Sequence, residues 1–485
     1  MVVEQPQGRS VLFAPRPRRG IIIGLLPGQL VVLAVGLLVA IPAVYTGGVA
    51  RLAATAPLWG AMVAAAFVTV AGRTLVSWAP TVAHHAWRAV AGQLSYRVRV
   101  PRPPEAGRLA LPGEAAGLRL HVHPGMTAAM VHDPRARTLT AALRVRSAGT
   151  FVLADPREQE RRADTWGALL SGYCTGGRLI SRIQVLERTM PESGISADAF
   201  WRAHGVDDGG WAAQSYREVL ATAAPTSERH ETLVALSLDL RAAAHQVRAA
   251  GGGVGGAAEV LAQQLTLLGR RLPSLDLAHD GWVTAPDLAL LLRGAYDPTG
   301  LATLVRSKVG RTPGSAGPMA VDEGWATFRA DGSWHCVLWV AEWPRVAVPV
   351  DVLWPLLLTS GVHRTVSVTF EPIPHDRALR AVRQERVEHE SDARQRARSD
   401  VLTTETQRRE AVDAVRRERE LVAGAGDMRY VGLVTVSAPD RQALDVAVEQ
   451  VRTAAAEAHC ELRVLYGQQT QAFTAAALPL ARGMQ

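Results

Sequence analysis

Two apolar runs without a single charge stand near the start of the chain: "GQLVVLAVGLLVAIPAVYT", Gly28 to Thr46, and "LAATAPLWGAMVAAAFVTVA", Leu52 to Ala71. At 19 and 20 residues, each is long enough as an α-helix to cross about 30 Å of hydrocarbon. A buried core helix is the alternative for either run alone, but two runs separated only by "GGVAR" read as a transmembrane hairpin. A cleaved signal peptide fits less well, because the first run starts late and a second span follows at once.

Arginine brackets this pair. Arg16, Arg18 and Arg19 precede the first run and Arg73, Arg88, Arg97 and Arg99 follow the second, while the loop between holds only Arg51. The positive-inside rule then predicts a multi-pass protein of the cell (inner) membrane with both termini cytoplasmic. Of the chain's formal charge of +8, the first 110 residues hold eleven arginines against Glu4 and Glu105, leaving the rest close to neutral. That placement suits a membrane-flanking segment and argues against strong direct binding of nucleic acid. Residues 74–92, with Leu75, Trp78, Val82, Trp87 and Val90, are expected to form an amphipathic helix leading off the membrane. Its adjacent His84 and His85 cannot face one metal from the same side of a helix.

The chain divides into a cytoplasmic tail (1–27), the hairpin (28–71), an interfacial helix and Pro/Gly-rich linker (72–117), and two globular modules (118–300 and 301–485). In the first module, alternation and turn residues predict strands at Thr138–Arg146, Leu179–Leu186 and Glu231–Leu240, with helices at Glu158–Cys174, near Trp211–Thr222, and at Ala257–Leu272. In the second, strands are expected at Ser333–Trp343, in "HRTVSVTFEP", "RYVGLVTVS" and "CELRVL", and helices in "VPVDVLWPLLLTSG" and at Pro439–His459. "SAPD" reads as a helix start capped by Ser437, with Asp440 completing a capping box. A charged helical insertion spans about 376–422, too sparse in apolar residues for a coiled-coil seam and read as a solvated helical hairpin. Both modules close on a short helical segment, "GWVTAPDLALLLRGAYDP" and "YGQQTQAFTAAALPLARG". The expected fold class is therefore α+β: a transmembrane helical hairpin followed by tandem ferredoxin-like (split βαβ) modules.

Catalytic motifs are sparse. Gly251, Gly253 and Gly256 spell G-x-G-x-x-G, with Asp276 about 20 residues on. A dinucleotide fingerprint needs those glycines directly after a strand, whereas here "RAAAHQVRAA" intervenes after Leu240, so they read as a helix terminator and flexible loop. A P-loop needs G-K-[ST], but the chain's one lysine, Lys308, stands in "VRSKVG". "HVHPG" puts His121 and His123 on one strand face, with no third metal ligand at diagnostic spacing. The carboxylates of "VDEGW" and "GVDDGGW" read as turn residues, and Cys174, Cys336 and Cys460 as buried reduced thiols. Trp325, Trp334, Trp339 and Trp343 read as core and interface packing, since no basic stripe accompanies them. Neither an enzyme nor a cofactor is expected.

With "AEWPR", "GWVTAPDLALLLRGAYDP", "LDLRAAAHQVRAAGGG", "LLLTSGVHRTVSV", "VEHESDARQRAR" and "GQQTQAFTAAALPL" in hand, the sequence resembles an actinobacterial membrane-protein family. Its members join a PrgI-like two-helix segment to a region similar to the N-terminal, non-catalytic domain of conjugative and type IV secretion ATPases. The resemblance implies an inner-membrane scaffold of such a system, docking a conjugation-type ATPase in trans and working as a homo-oligomer or within a larger complex. Candidate partner contacts are Trp343 and Arg345 in "AEWPR", and Phe473 and Leu478 in the last helical segment. A type VII secretion core component is the nearest alternative, and a membrane-tethered enzyme the alternative from another class.

Overall fold

The computed structural model describes residues 25, 27–98, 107–147, 149–151, 153–175, 179–191, 195–223, 228–301, 304, 312–344, 348–398 and 405–483. It is a mixed α and β structure that begins with a single apolar helical element, α1 (Pro27–Phe67), long and apolar enough to cross a membrane. The backbone leaves helical geometry inside α1 at Gly48 (φ 59°, ψ −150°), a left-handed conformation that glycine adopts without a Cβ penalty. Its two arms fold back on each other there. Gln29 Nε2 donates to the Ala66 carbonyl at 2.8 Å, and the Met62 side chain lies over Gly36. The second arm ends at Phe67, so Ala71, the expected end of the second run, sits instead in the turn (φ 50°) between β1 (Thr69–Val70) and β2 (Arg73–Thr74). Leu52, the expected start of that run, lies inside the helix, which resumes directly after Gly48. The expected amphipathic helix is α2 (Leu75–Val90).

One antiparallel sheet organises everything after α2. Its strands are β3 (Ser95–Arg97), β4 (Arg119–Val122), β5 (Ala129–Asp133), β6 (Thr138–Ser147), β7 (Ile180–Pro191), β8 (Glu228–Asp239), β9 (Leu277–Trp282), β10 (Ala320–Glu323), β11 (Phe328–Ala330), β12 (Ser333–Glu342), β13 (His363–Ile373), β14 (Asp427–Ala438) and β15 (Glu461–Val464). They run in the order β3-β10-β11-β12-β14-β13-β7-β8-β6-β5-β4, with β15 beside the far half of β12 and β9 beside the far half of β6. Read inward from β4 and from β10, β4-β5-β6-β8-β7 mirrors β10-β11-β12-β14-β13, and the two halves meet where β7 pairs with β13. The helices repeat as well. α3 (Pro156–Thr175), the pair α4 (Ile195–His204) and α5 (Trp211–Ala223), α7 (Gly253–Arg271) and α8 (Ala285–Tyr296) follow the strands of the first half. In the second half, α9 (Trp354–Leu358), the pair α10 (His375–Arg398) and α11 (Glu405–Val422), α12 (Arg441–Glu457) and α13 (Gln469–Ala476) stand at the same points.

Strand alternation decides which face each side chain takes. Val234, Leu236 and Leu238 of β8 pack under α3 and α7, and Val434 and Val436 of β14 under α12. The opposite parity, Leu233, Ala235, Leu433 and Val337, packs against α8 and α13 in one core shared by both halves. That shared core also holds Val131 of β5 and Val321 of β10, near opposite edges of the sheet. Laid flat, eleven strands spaced ~4.8 Å apart would put β3 about 48 Å from β4. Arg97 of β3 and Arg108, which bridges to Arg119 of β4, are only eleven residues apart in sequence, at most about 38 Å of extended chain. The Tyr96 hydroxyl in fact donates to the Ala110 carbonyl at 3.4 Å. The sheet therefore curls, and α8 and α13 lie in its concavity.

Several expectations are corrected by this curl. Residues before Leu118 are not simply linker: Leu109, Leu111 and Ala115 are buried in the shared core, and Ser95–Arg97 pairs with β10. Residues 300 and 301 do not divide the fold into separate bodies, because Arg293 of α8 reaches Asp331 (2.7 Å) and the Gly317 carbonyl (2.7 Å) in the second half. The expected helix "VPVDVLWPLLLTSG" shrinks to the five residues of α9, the chain before it being interrupted by Pro349. α12 is capped by Asp440, whose carboxylate accepts from the Ala443 amide at 2.8 Å, while Ser437 bonds to His335 instead. The glycine run is a tight corner rather than a flexible loop. Gly251, Gly252 and Gly253 all have positive φ between α6 (Ala244–Ala249) and α7, and a Cβ on Gly256 would come within 2.5 Å of the Val247 carbonyl. The charged insertion does fold as two helices packed on each other, tied by Arg386 and Glu418.

Candidate functional site

The joint between α1 and the sheet is the feature most elaborately built for a purpose. α2 does not lie free: Arg88, in its last turn, is buried against Glu323 at the end of β10, with side-chain exposures of 9% and 1%. The Glu323 carboxylate accepts from both Arg88 nitrogens, from the Thr470 amide (3.3 Å) and from the Thr470 hydroxyl. A buried carboxylate is tolerated only when such donors replace its water shell, so α2, β10 and the start of α13 hold one another in place. Higher up α2, Trp78 meets Trp325 (6.0 Å) and Tyr466 (5.6 Å), and His85 stands edge-on to Trp325 at 5.1 Å. Arg463 of β15 donates to the Gly72 carbonyl at 3.1 Å, under the turn that joins α1 to α2. The opposite face of α2 leaves Val82, Trp87 and Val90 exposed.

Sequence reasoning read "VDEGW" as a turn and missed Glu323. A glutamate two residues before a tryptophan at a strand end was the available signal, but its partner lies 235 positions away. In "GVDDGGW" the reading holds, since Asp208 accepts from the Gly210 amide at 2.9 Å. Of the four candidate partner contacts, Trp343 lies half-buried against Tyr430 (5.5 Å) and above Gly432, while Arg345 falls outside the described residues. Phe473 and Leu478 are corrected outright. Both are fully buried, Phe473 among Tyr296, Phe328 and His335, so neither is available to a partner.

The other titratable groups form structural networks. His123 accepts from the Gly125 and Met126 amides through Nδ1, which leaves its Nε2 proton for Glu259 at 3.0 Å. His121 does not join that pair in any metal-like cluster among the described residues. Arg144 bonds Glu231 at 2.7 Å, and the fully enclosed Arg188, its acidity raised by burial, shares that carboxylate at 3.8 Å. Cys174, Cys336 and Cys460 are free and buried, with thiols pushed up by desolvation to about 11, 12 and 11, so they stay protonated and unreactive at neutral pH. Lys308 lies outside the described residues.

His335 supplies a pH test. Its Nε2 donates to the Tyr296 carbonyl (2.9 Å), and in the neutral ring its Nδ1 accepts from Ser437 (2.8 Å). Burial pushes its pKa from 6.5 down to about 4, and burial likewise pushes His363 to about 4. Both are depressed on folding, so the unfolded chain binds more protons below 6.5. Stability should be full above pH 6.5 and fall as pH drops toward 4, by about 3 kcal/mol for His335 alone. Urea midpoints measured from pH 7.5 to 4.5 check this, and a His335→Gln variant should lose part of the slope. No protein-family model matches the chain, and no curated protein matches it.

Proposed function

We propose that the chain is a membrane scaffold of a conjugation or type IV-like secretion machine, holding a separately encoded transport ATPase at the cytoplasmic face of the inner membrane. The observation that carries this reading is the buried Arg88–Glu323–Thr470 joint, which ties α2, the helix that follows the apolar element, to a large folded body. The fold-back at Gly48 supports two crossings by α1, and the exposed Val82, Trp87 and Val90 suit α2 to the membrane surface. In each half, the strands linked through helices stand in the order β9-β6-β8-β7 or β15-β12-β14-β13. That is the fourth-first-third-second arrangement of a split βαβ unit, so we read the body as two ferredoxin-like modules fused edge to edge. The sequence offers no Walker lysine, and in this reading nucleotide hydrolysis belongs to the partner.

Solubilising native membranes in mild detergent and purifying the tagged chain tests the proposal. A conjugation-type ATPase should co-purify, and carbonate washing should leave the chain in the membrane fraction. Recovery of the chain from the soluble fraction, or the reproducible absence of any such ATPase from the purified material, would refute it.

A further inference from the structure

The two halves differ most in one crossover. Between β6 and β7 the chain forms the 20-residue α3; between β12 and β13 the corresponding helix, α9, has only five residues. α3 packs beside the turn that ends α7 (Leu272–Leu275), and α9 beside α12. Beside α9, the second half has an open groove between residues 348–360 and the last turns of α12. Its effect on exposure is direct: Leu169 and Leu170 of α3 are buried, whereas Leu358 at the end of α9 is 56% exposed.

The groove has a definite chemistry. Val352, Pro355, Leu358 and Ala454 give it apolar walls, and Asp351 and Glu457 line it with negative charge. Glu228 lies just beyond, accepting from the Gly361 amide, while Arg364 is engaged by the Leu357 and Thr359 carbonyls. Apolar walls with an acidic lining disfavour lipid phosphates and nucleic acid, and favour a helix with an apolar stripe and cationic flanks. We propose that this groove docks a basic amphipathic helix of a partner protein, apolar at i, i+3, i+4 and i+7 and flanked by Arg or Lys. The groove's preference stands on its own geometry; only the assignment of that helix to the transport ATPase rests on the scaffold reading.

The probes are two fluorescein-labelled 18-residue helical peptides with identical leucine stripes, one flanked by arginine and the other by glutamate. They are titrated by anisotropy against the full-length chain in neutral detergent. The arginine peptide should bind at least about tenfold more tightly, and a D351R/E457R double variant should reverse that order. Leu358→Glu, at an exposed position, should abolish binding of both. Equal binding of the two peptides, or binding that survives both variants, overturns the proposal. So does a smaller particle on size exclusion for Leu358→Glu without peptide, which would mean that a second copy fills the groove. If the peptides behave as expected but no ATPase co-purifies, the groove stands and the scaffold reading fails. If an ATPase co-purifies equally with the wild-type chain and with D351R/E457R, the scaffold reading survives and the groove fails as its dock.

Discussion

Replacing Glu323 by alanine should destabilise the fold by about 3–5 kcal/mol, because it strands the buried Arg88 guanidinium without a counter-charge. It also takes the acceptor from the Thr470 amide and hydroxyl at the start of α13. The loss should not be uniform. α2 leaves the sheet first, so limited proteolysis should cut the turn at residues 91–94 well before the sheet strands unfold. The paired change Arg88→Met with Glu323→Leu should cost less than Glu323→Ala alone, since it removes both charges and leaves apolar bulk. Denaturant unfolding of the three variants in detergent checks the order. A Glu323→Ala protein as stable as the wild type would mean that the joint does not hold α2 at all.

Deleting residues 478–485 should be more damaging still. Leu478, Leu480 and Ala481 are buried in the shared core, and the tail crosses from α13 onto the first half. There the Ala481 amide donates to Gln184 Oε1 at 2.8 Å, and Arg482 reaches Asp133 at 3.4 Å. Gln184, itself fully buried in β7, spends its amide nitrogen on Ser367 and the Ala475 carbonyl, so without the tail its oxygen is orphaned. Two leucines at about 1.5–3 kcal/mol each, plus about 1–3 kcal/mol for the unsatisfied amide, come to about 4–9 kcal/mol. That is a large share of what a folded chain has to lose. The truncated protein should fail to give a cooperative melt. A cooperative transition at the wild-type temperature for the deletion would refute this account of the tail.

The strands were the most legible part of the fold. Thr138–Arg146, Glu231–Leu240, Ser333–Trp343 and "RYVGLVTVS" alternate because one face of each lies under helices and the other in the shared core, and all four are strands to within a few residues. The helix in "VPVDVLWPLLLTSG" was over-read for a physical reason. Its apolar residues do pack inward, but as turns leading into α9, and periodicity over so short a segment does not separate turns from a continuous helix. Phe473 and Leu478 misled in the opposite sense. A short segment of small and polar residues, "GQQTQAFTAAALPL", has the look of a surface helix, and it is buried only because a curled sheet closes round it.

Local patterning therefore determined the apolar hairpin, the strands and most helix limits, since each depends on residues within a few positions of one another. The tertiary structure alone decided the curl of the sheet, the exchange of α8 and the C-terminal tail between halves, and the Arg88–Glu323 contact. The last two join residues as far as 235 and 297 positions apart, and nothing in the order of side chains along one segment specifies which distant segment will satisfy its buried charges or cover its apolar face.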